Sequence, residues 1–258
     1  MTRYPLYIFD LDGTLYRGAE AIPNAVDVVC KLKSDGSGVR YLTNNSSQTR
    51  EFFLQKLCNM GFPAEIDEIE SSAHGSAKHL SALGLCSIFV VGEPGLVATL
   101  REEGLTVVNA DDHGAVSPDG PPSEAVLVGI CKGFTYALMQ EAMQRIRAGQ
   151  TFIATNPDPT FPMEGGQLIP GAGSVVAGIK ACAEKEPFVV GKPNPFLVNL
   201  VLAEAKCQPQ DALVVGDRID TDLFSGEQAG CPTHLVLTGV TQTPPPGQSC
   251  SFDLTGLL

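Results

Sequence analysis

Tyr7-Ile8-Phe9-Asp10-Leu11-Asp12-Gly13-Thr14-Leu15 decides the fold class of this chain. An apolar run ends in two carboxylates one residue apart, followed at once by a glycine and a threonine. Four uninterrupted apolar or aromatic residues at the head of a chain read as a strand buried on both faces, the kind found in parallel sheets. Such a strand delivers Asp10 and Asp12 to the C-terminal edge of its sheet. Gly13 then lets the backbone turn sharply. Two acidic side chains at one edge repel each other unless a cation sits between them or one carries a proton. Both conditions suit a Mg²⁺ phosphotransfer site, where one carboxylate attacks phosphorus and the other manages the leaving group's proton.

Outward from this stretch, strands and helices alternate to the end of the chain, the pattern of an α/β protein with a largely parallel sheet. Asn24 is placed to cap a helix carrying Ala25, Val28, Val29 and Leu32, and Val39 to Leu42 reads as the second strand. Ser47 is placed to cap a helix carrying Phe52, Phe53 and Leu57. Further helices are expected over Ala73 to Leu83, Leu96 to Glu103, Tyr136 to Arg147, Ser174 to Lys185 and Phe196 to Ala205. Strands are expected over Ser87 to Gly92, Ala125 to Ile130, Thr151 to Ala154, Pro187 to Val190, Ala212 to Asp217 and Leu235 to Leu237, the last closing the sheet.

Composition narrows the function classes. Of the 258 residues 43% are hydrophobic, enough for one large domain or two modest ones. No apolar stretch approaches the ~20 residues that cross a bilayer, and the N-terminus lacks a signal peptide's apolar segment. A soluble, cytoplasmic protein is expected. The net charge of −12 argues against nucleic acid and anionic membrane as partners. It leaves a small phosphate acceptable, because one metal ion and one lysine reverse the potential locally. Eight scattered cysteines without a C-x-x-C read as reduced, mostly buried thiols. The four histidines show no metal spacing.

Three other strand ends supply what the first lacks. Thr43-Asn44-Asn45-Ser46 offers a hydroxyl and free backbone N–H groups before a helix, a phosphate-sized anion site. Lys192, between Gly191 and Pro193, is held on a rigid loop from which its ammonium can neutralise Asp10 and a bound phosphate. Asp217 ends the Ala212 strand and is a metal-ligand candidate. Asp222 is placed to orient a metal-bound water or Lys192. Four polar clusters at the C-terminal ends of apolar strands point to one site, since open α/β sheets bind ligands at that edge.

In this order the clusters resemble the four motifs of the haloacid dehalogenase (HAD) superfamily. Roughly 147 residues separate Asn44 from Lys192, far more than the ~30 of a βαβ unit. Residues 82–185 therefore read as an inserted α/β cap, and 1–81 with 186–258 as a doubly wound, Rossmann-like core. Thr155-Asn156-Pro157-Asp158, Pro170-Gly171-Ala172-Gly173-Ser174 and Gly216-Asp217-Arg218-Ile219-Asp220-Thr221-Asp222 are similar to strings of the NagD, or p-nitrophenylphosphatase-like, subfamily with its type-II cap.

The resemblance implies a Mg²⁺-dependent phosphomonoester hydrolase acting on small phosphorylated metabolites. Asp10 would be the nucleophile that forms an aspartyl-phosphate, and Asp12 the general acid and base. The Asp10 carboxylate, the Asp12 carbonyl and Asp217 would hold Mg²⁺, with Asp222 behind them. Thr43, Asn44 and Lys192 would hold the phosphoryl oxygens. Asn156, Asp158, Phe161 and Glu164 lie in the cap loop expected to contact the leaving group, and exposed cap surface makes a homodimer plausible. A dehalogenase would need neither Asp12 nor Asp217. A non-catalytic phosphate-binding module would be expected to have lost one of these residues. A phosphotransferase to an acceptor other than water stays chemically open.

Overall fold

The computed structural model describes residues 3–162 and 167–258. Its packing divides the chain into two units. One comprises Met1–Thr43, Arg50–Glu70 and Lys192–Leu258; the other comprises Asn44–Thr49 and Ser71–Gly191.

The first unit is built on a six-stranded sheet in the order Cys250–Ser251, Thr233–Val236, Ala212–Gly216, Leu6–Asp10, Gly38–Thr43, Ile69–Ser71. Leu6–Asp10 lies at its centre, parallel to both neighbours, with Phe9 opposite Val215 on one side and Tyr41 on the other. Tyr7, Ile8 and Phe9 are all buried, as a strand covered on both faces requires. Helix Ala25–Ser34 buries Val28, Val29 and Leu32 in the cluster that holds Phe9, Leu11, Tyr41 and Val215. Burial of each such Val or Leu is worth roughly 1.5–3 kcal/mol, so these faces anchor the first and second strands. Asn24 stands at that helix's start in the left-handed region but makes no side-chain cap; its amide is directed to Asp253 instead. Ser47 is not a cap either. The next helix begins only at Arg50, and the Ser47 N–H and hydroxyl both bond the Asn45 side-chain oxygen. Thr233–Val236 does not close the sheet, because Cys250–Ser251 pairs beyond it.

The second unit holds a five-stranded parallel sheet in the order Phe188–Val189, Thr151–Ala154, Ala125–Val128, Ser87–Val91, Thr106–Val107. Helices Tyr136–Arg147 and Ala172–Ala183 pack together over the buried Phe89, Val126 and Phe152. Arg145, buried, donates to the carbonyls of Gly120 and Pro121 and lies over the Phe89 ring, which ties a long loop to the helix. A hairpin, Thr160–Pro162 with Leu168–Pro170, packs against helix Ala172–Ala183.

Two expectations need correction. The strand before Lys192 does not belong to the sheet that carries Asp10; Phe188–Val189 pairs with Thr151–Ala154 in the second sheet. Helix Ser72–Ala82 also packs in the second unit, against helix Pro94–Glu102. The division by packing therefore falls at Ser71 and Gly191, outside residues 82–185 at both ends. The cysteines are all reduced, but only Cys131 and Cys231 are buried; Cys30, Cys58, Cys86 and Cys250 are exposed. Among the described residues no helix is long and apolar enough to cross a membrane.

Candidate active site

From Leu6–Asp10 the chain crosses to Gly38–Thr43 on one side, while Ala212–Gly216 arrives on the other. The strand order reverses between the first and the last of these, and at such switch points a crevice opens beyond the strand ends. Asp10 ends one strand, and Asp217 directly follows the other.

Lys192 joins them. Its Nζ donates to Asp10 Oδ1 at 2.5 Å and to Asp222 Oδ1 at 2.7 Å, and it lies 3.5 Å from the Leu42 carbonyl. Only 3% of the lysine is exposed, so this is a buried ion triad. Asp222 reaches it because residues Ile219–Leu223 form one π-helical turn, a local widening common at functional sites. The Arg218 N–H donates to Asp222 Oδ2 at 3.1 Å, so both Asp222 oxygens are engaged. Gly216 makes the close approach feasible: a Cβ there would lie 2.3 Å from that of Asp222.

Asp217 is held by the backbone. The Val240 N–H donates to its Oδ2 at 2.6 Å. Its carboxylate passes between two glycines: a Cβ on Gly239 would meet Oδ2 at 1.9 Å, and one on Gly13 at 2.7 Å. Gly13 also has φ +86°, so both space and backbone select glycine there. The Thr238 hydroxyl donates to the Gly13 carbonyl at 2.7 Å, and Arg17 bonds the Thr238 carbonyl, tying the two loops together.

The electrostatics follow from crowding. Burial raises the Asp10 carboxyl well above the usual range; Asp222 and Asp217 push the same way and Lys192 opposes them. Burial and Asp222 push Asp217 up to about 6, against the Val240 N–H and Lys192. Burial works against the Lys192 charge, but Asp10 and Asp222 outweigh it and leave its pKa raised. Asp12 reaches solvent at the edge. Its carboxyl is nonetheless raised, by desolvation within the turn, with Lys56, Tyr16 and Lys192 opposing.

One carboxylate oxygen each from Asp10, Asp217 and Asp222 lies within 4.8 Å of the others. Asp10 and Asp217 offer the hard carboxylate oxygens that Mg²⁺ takes alongside several waters, whereas both oxygens of Asp222 are engaged by Lys192 and the Arg218 N–H.

The other site residues fall as follows. Thr43 ends the strand beside that of Asp10 and is buried. Asn44, the next residue, groups with the second unit, where its amide donates to Asp158 Oδ2 at 2.9 Å. Asn156 donates to the Asn44 carbonyl at 2.8 Å, and the Asp158 N–H bonds Asn156 Oδ1, closing a polar ring. Phe161 sits in the hairpin opposite Ile169. Glu164 lies outside the described residues. Sequence reasoning missed Gly239 and Val240. The signal for them was a fifth strand end, Leu237-Thr238-Gly239-Val240, in the style of the others.

Comparison with known proteins identifies the family. A family model described as haloacid dehalogenase-like hydrolase matches residues 7–106, and a HAD-hydrolase-like model matches residues 189–247. A glycerol-3-phosphate phosphatase of Gallus gallus is 36% identical, over 91% of this chain and 80% of its own length. An acid sugar phosphatase of Staphylococcus haemolyticus is 34% identical, over 93% of this chain and 88% of its own. The solved p-nitrophenyl phosphatase from Archaeoglobus fulgidus superposes with a TM-score of 0.87 at 31% identity, covering 98% of this chain and 97% of that one. A glycerol phosphate phosphatase from Mycobacterium tuberculosis, solved in complex with magnesium, gives 0.84 at 32% identity, covering 99% of this chain and 76% of that one.

Proposed function

The chain belongs to the haloacid dehalogenase-like hydrolases, in their NagD and p-nitrophenylphosphatase-like branch, and from that premise we propose that it is a Mg²⁺-dependent phosphomonoester hydrolase acting on small metabolites. The observation that carries this reading is the buried Asp10–Lys192–Asp222 triad beside Asp217, at the edge of the sheet where its strand order reverses.

Asp10 is the nucleophile. Its Oδ forms a bond to phosphorus while the bond from phosphorus to the leaving oxygen breaks. Asp12 delivers the proton that the leaving alkoxide takes. Its raised carboxyl suits an acid that must hold a proton and then surrender it. In the second half Asp12 takes a proton from water as that water attacks phosphorus, and the Asp10–phosphorus bond breaks to release inorganic phosphate. Lys192 holds Asp10 in line and offsets the negative charge that collects on the phosphoryl oxygens; Thr43 and Asn44 contribute hydroxyl and amide donors. Asp10, Asp217 and the Asp12 backbone carbonyl would hold Mg²⁺, which when bound supplies positive charge to the phosphoryl group. Asp222, with both oxygens already engaged, supports Lys192.

Substrate choice falls to the inserted unit, through Asn156, Asp158 and Phe161. The relatives named for glycerol 3-phosphate and acid sugars support a small, polar leaving group. The test is Asp10→Asn, which keeps shape and removes the nucleophile. It is expected to abolish turnover while circular dichroism and Tm stay within the wild-type range; substantial residual activity with Mg²⁺ would refute the covalent mechanism.

A further inference from the structure

Tyr16 follows the catalytic turn and is built into it. The Gly13 N–H donates to the Tyr16 carbonyl at 2.8 Å, the Tyr16 N–H reaches back to the Leu11 carbonyl, and Asp12 bridges to Tyr16 through the backbone. The side chain is fully buried, and among the described residues its hydroxyl has no hydrogen-bond partner of full geometry, although Asp12 lies near enough to act on it. Aromatic core packing explains the ring but not the oxygen, because a core tyrosine normally finds its O–H a partner. The charges acting on this hydroxyl are those of Asp12 first and Asp10 second. On the ring face, Lys56 of helix Arg50–Asn59 sets its Nζ 3.7 Å from the centroid.

Resting on the hydrolase reading above, we propose that Tyr16 and Lys56 are a positioning pair for Asp12. The Tyr16 hydroxyl donates to the Asp12 carboxyl in its working rotamer, and the Lys56 ammonium, seated on the ring, fixes the direction in which that hydroxyl points. A general acid works only within about 2.6–3.2 Å of the oxygen it protonates. Asp12 is solvent-exposed on a turn, and its side chain needs a fixed donor to stay in reach. Tyr16 supplies a rigid one, because a cation over an aromatic face resists ring rotation and tilt.

The reading separates positioning from packing by leaving group. An alkyl phosphate such as glycerol 3-phosphate needs the proton from Asp12; p-nitrophenyl phosphate, whose leaving phenoxide is stable, needs it little. Tyr16→Phe removes only the oxygen. It is expected to lower kcat/KM, which reports formation of the aspartyl-phosphate and departure of the leaving group, about tenfold or more on glycerol 3-phosphate and less than about twofold on p-nitrophenyl phosphate. Lys56→Met is expected to show the same selectivity in smaller measure, and Lys56→Arg to restore it, since guanidinium keeps the cation on the ring. Asp12→Ala, measured alongside, calibrates full loss of the acid. Equal losses of kcat/KM on both esters, or none on either, would overturn the pair. If Tyr16→Phe folds poorly, Lys56→Met still tests the pair, since an effect on both esters alike, or none, overturns it; where Tyr16→Phe folds, adding Lys56→Met is expected to cost nothing more, and a further loss would show the lysine acting on Asp12 directly and overturn the pair. An Asp12→Ala enzyme whose kcat/KM falls alike on both esters would instead refute the acid role assigned to Asp12, a failure distinct from that of the pair.

Discussion

Replacing Lys192 with methionine removes the cation that bridges Asp10 and Asp222 while keeping most of the volume it fills. Lys192 and Asp222 are each no more than 3% exposed, and Asp10 is nearly as enclosed. Breaking a buried ion pair by deleting one partner costs about 3–5 kcal/mol, because the other charge is left without compensation. Two carboxylates lose their partner here, so the upper half of that range is expected at pH 8 in the presence of chelator. At roughly 2–4 °C per kcal/mol for a chain of this size, Tm should fall by about 8–20 °C. The loss must depend on pH in a defined direction. Asp10 is already held well above its ordinary value, and Lys192 is the strongest influence opposing that rise. In Lys192→Met its folded pKa climbs further, so the folded state binds the proton more tightly than the unfolded chain does. Stability is then retained below the unfolded value near 4 and lost as pH rises through the folded one. Thermal unfolding of both proteins at about pH 5, 6.5 and 8 should show a small deficit at the acid end and the full one at the alkaline end. Adding Mg²⁺ at pH 8 should narrow it, since the variant's uncompensated carboxylates bind the cation more tightly than the wild type's and so gain more stability by mass action. A deficit below about 1 kcal/mol at pH 8 in chelator, or one that does not change with pH, would refute the claim that Lys192 neutralises these carboxylates.

Chelation should abolish phosphatase activity and Mg²⁺ restore it, whereas Ca²⁺ should inhibit, because its looser, higher coordination displaces the nucleophile; full turnover in excess chelator would exclude the Asp10–Asp217 cation site. Gly239→Ala places a Cβ 1.9 Å from Asp217 Oδ2 and should raise the Mg²⁺ concentration for half-maximal activity at least about tenfold, a loss of ~1.4 kcal/mol, while an unchanged Mg²⁺ requirement would show the loop can yield. Phe161→Ala should change kcat/KM unequally across a panel of phosphate monoesters, with p-nitrophenyl phosphate affected least; a uniform factor across the panel would remove the hairpin from substrate choice. Burial holds His234 below its ordinary pKa, so the folded protein should lose stability as pH falls below about 6.5, where the unfolded chain gains the proton first; His234→Gln should flatten that part of the stability profile.

What the sequence carried, and what it did not, follows from how each feature is encoded. Apolar runs and helical periodicity are side-chain patterns, so the strands at Leu6–Asp10 and Thr151–Ala154 and the helices Tyr136–Arg147 and Phe196–Ala205 were all legible. The Asp10, Asp217 and Asp222 cluster was legible too, because a strand end and a helical turn fix where a carboxylate goes. Sheet membership was not. Phe188–Val189 is a two-residue strand, and its sequence says nothing about which of two parallel sheets will accept it. The right lysine was therefore reached by a wrong route: Lys192 meets Asp10 because the chain leaves the second sheet there and returns to the first unit, not because its strand lies beside that of Asp10. Caps failed for a related reason. Asn24 and Ser47 have the chemistry to cap, but Asp253 and Asn45 compete for them, and competition over long or bent loops leaves no local trace. The hold on Asp217 is the least legible element of all. It comes from a backbone N–H at Val240 and from the missing Cβ of Gly239, and every residue except proline has that N–H. A glycine forced by close approach looks in sequence like a glycine in any turn. Tyr16 combines both difficulties. It is buried in the core, and nothing in the apolar pattern of the sequence tells where its hydroxyl points.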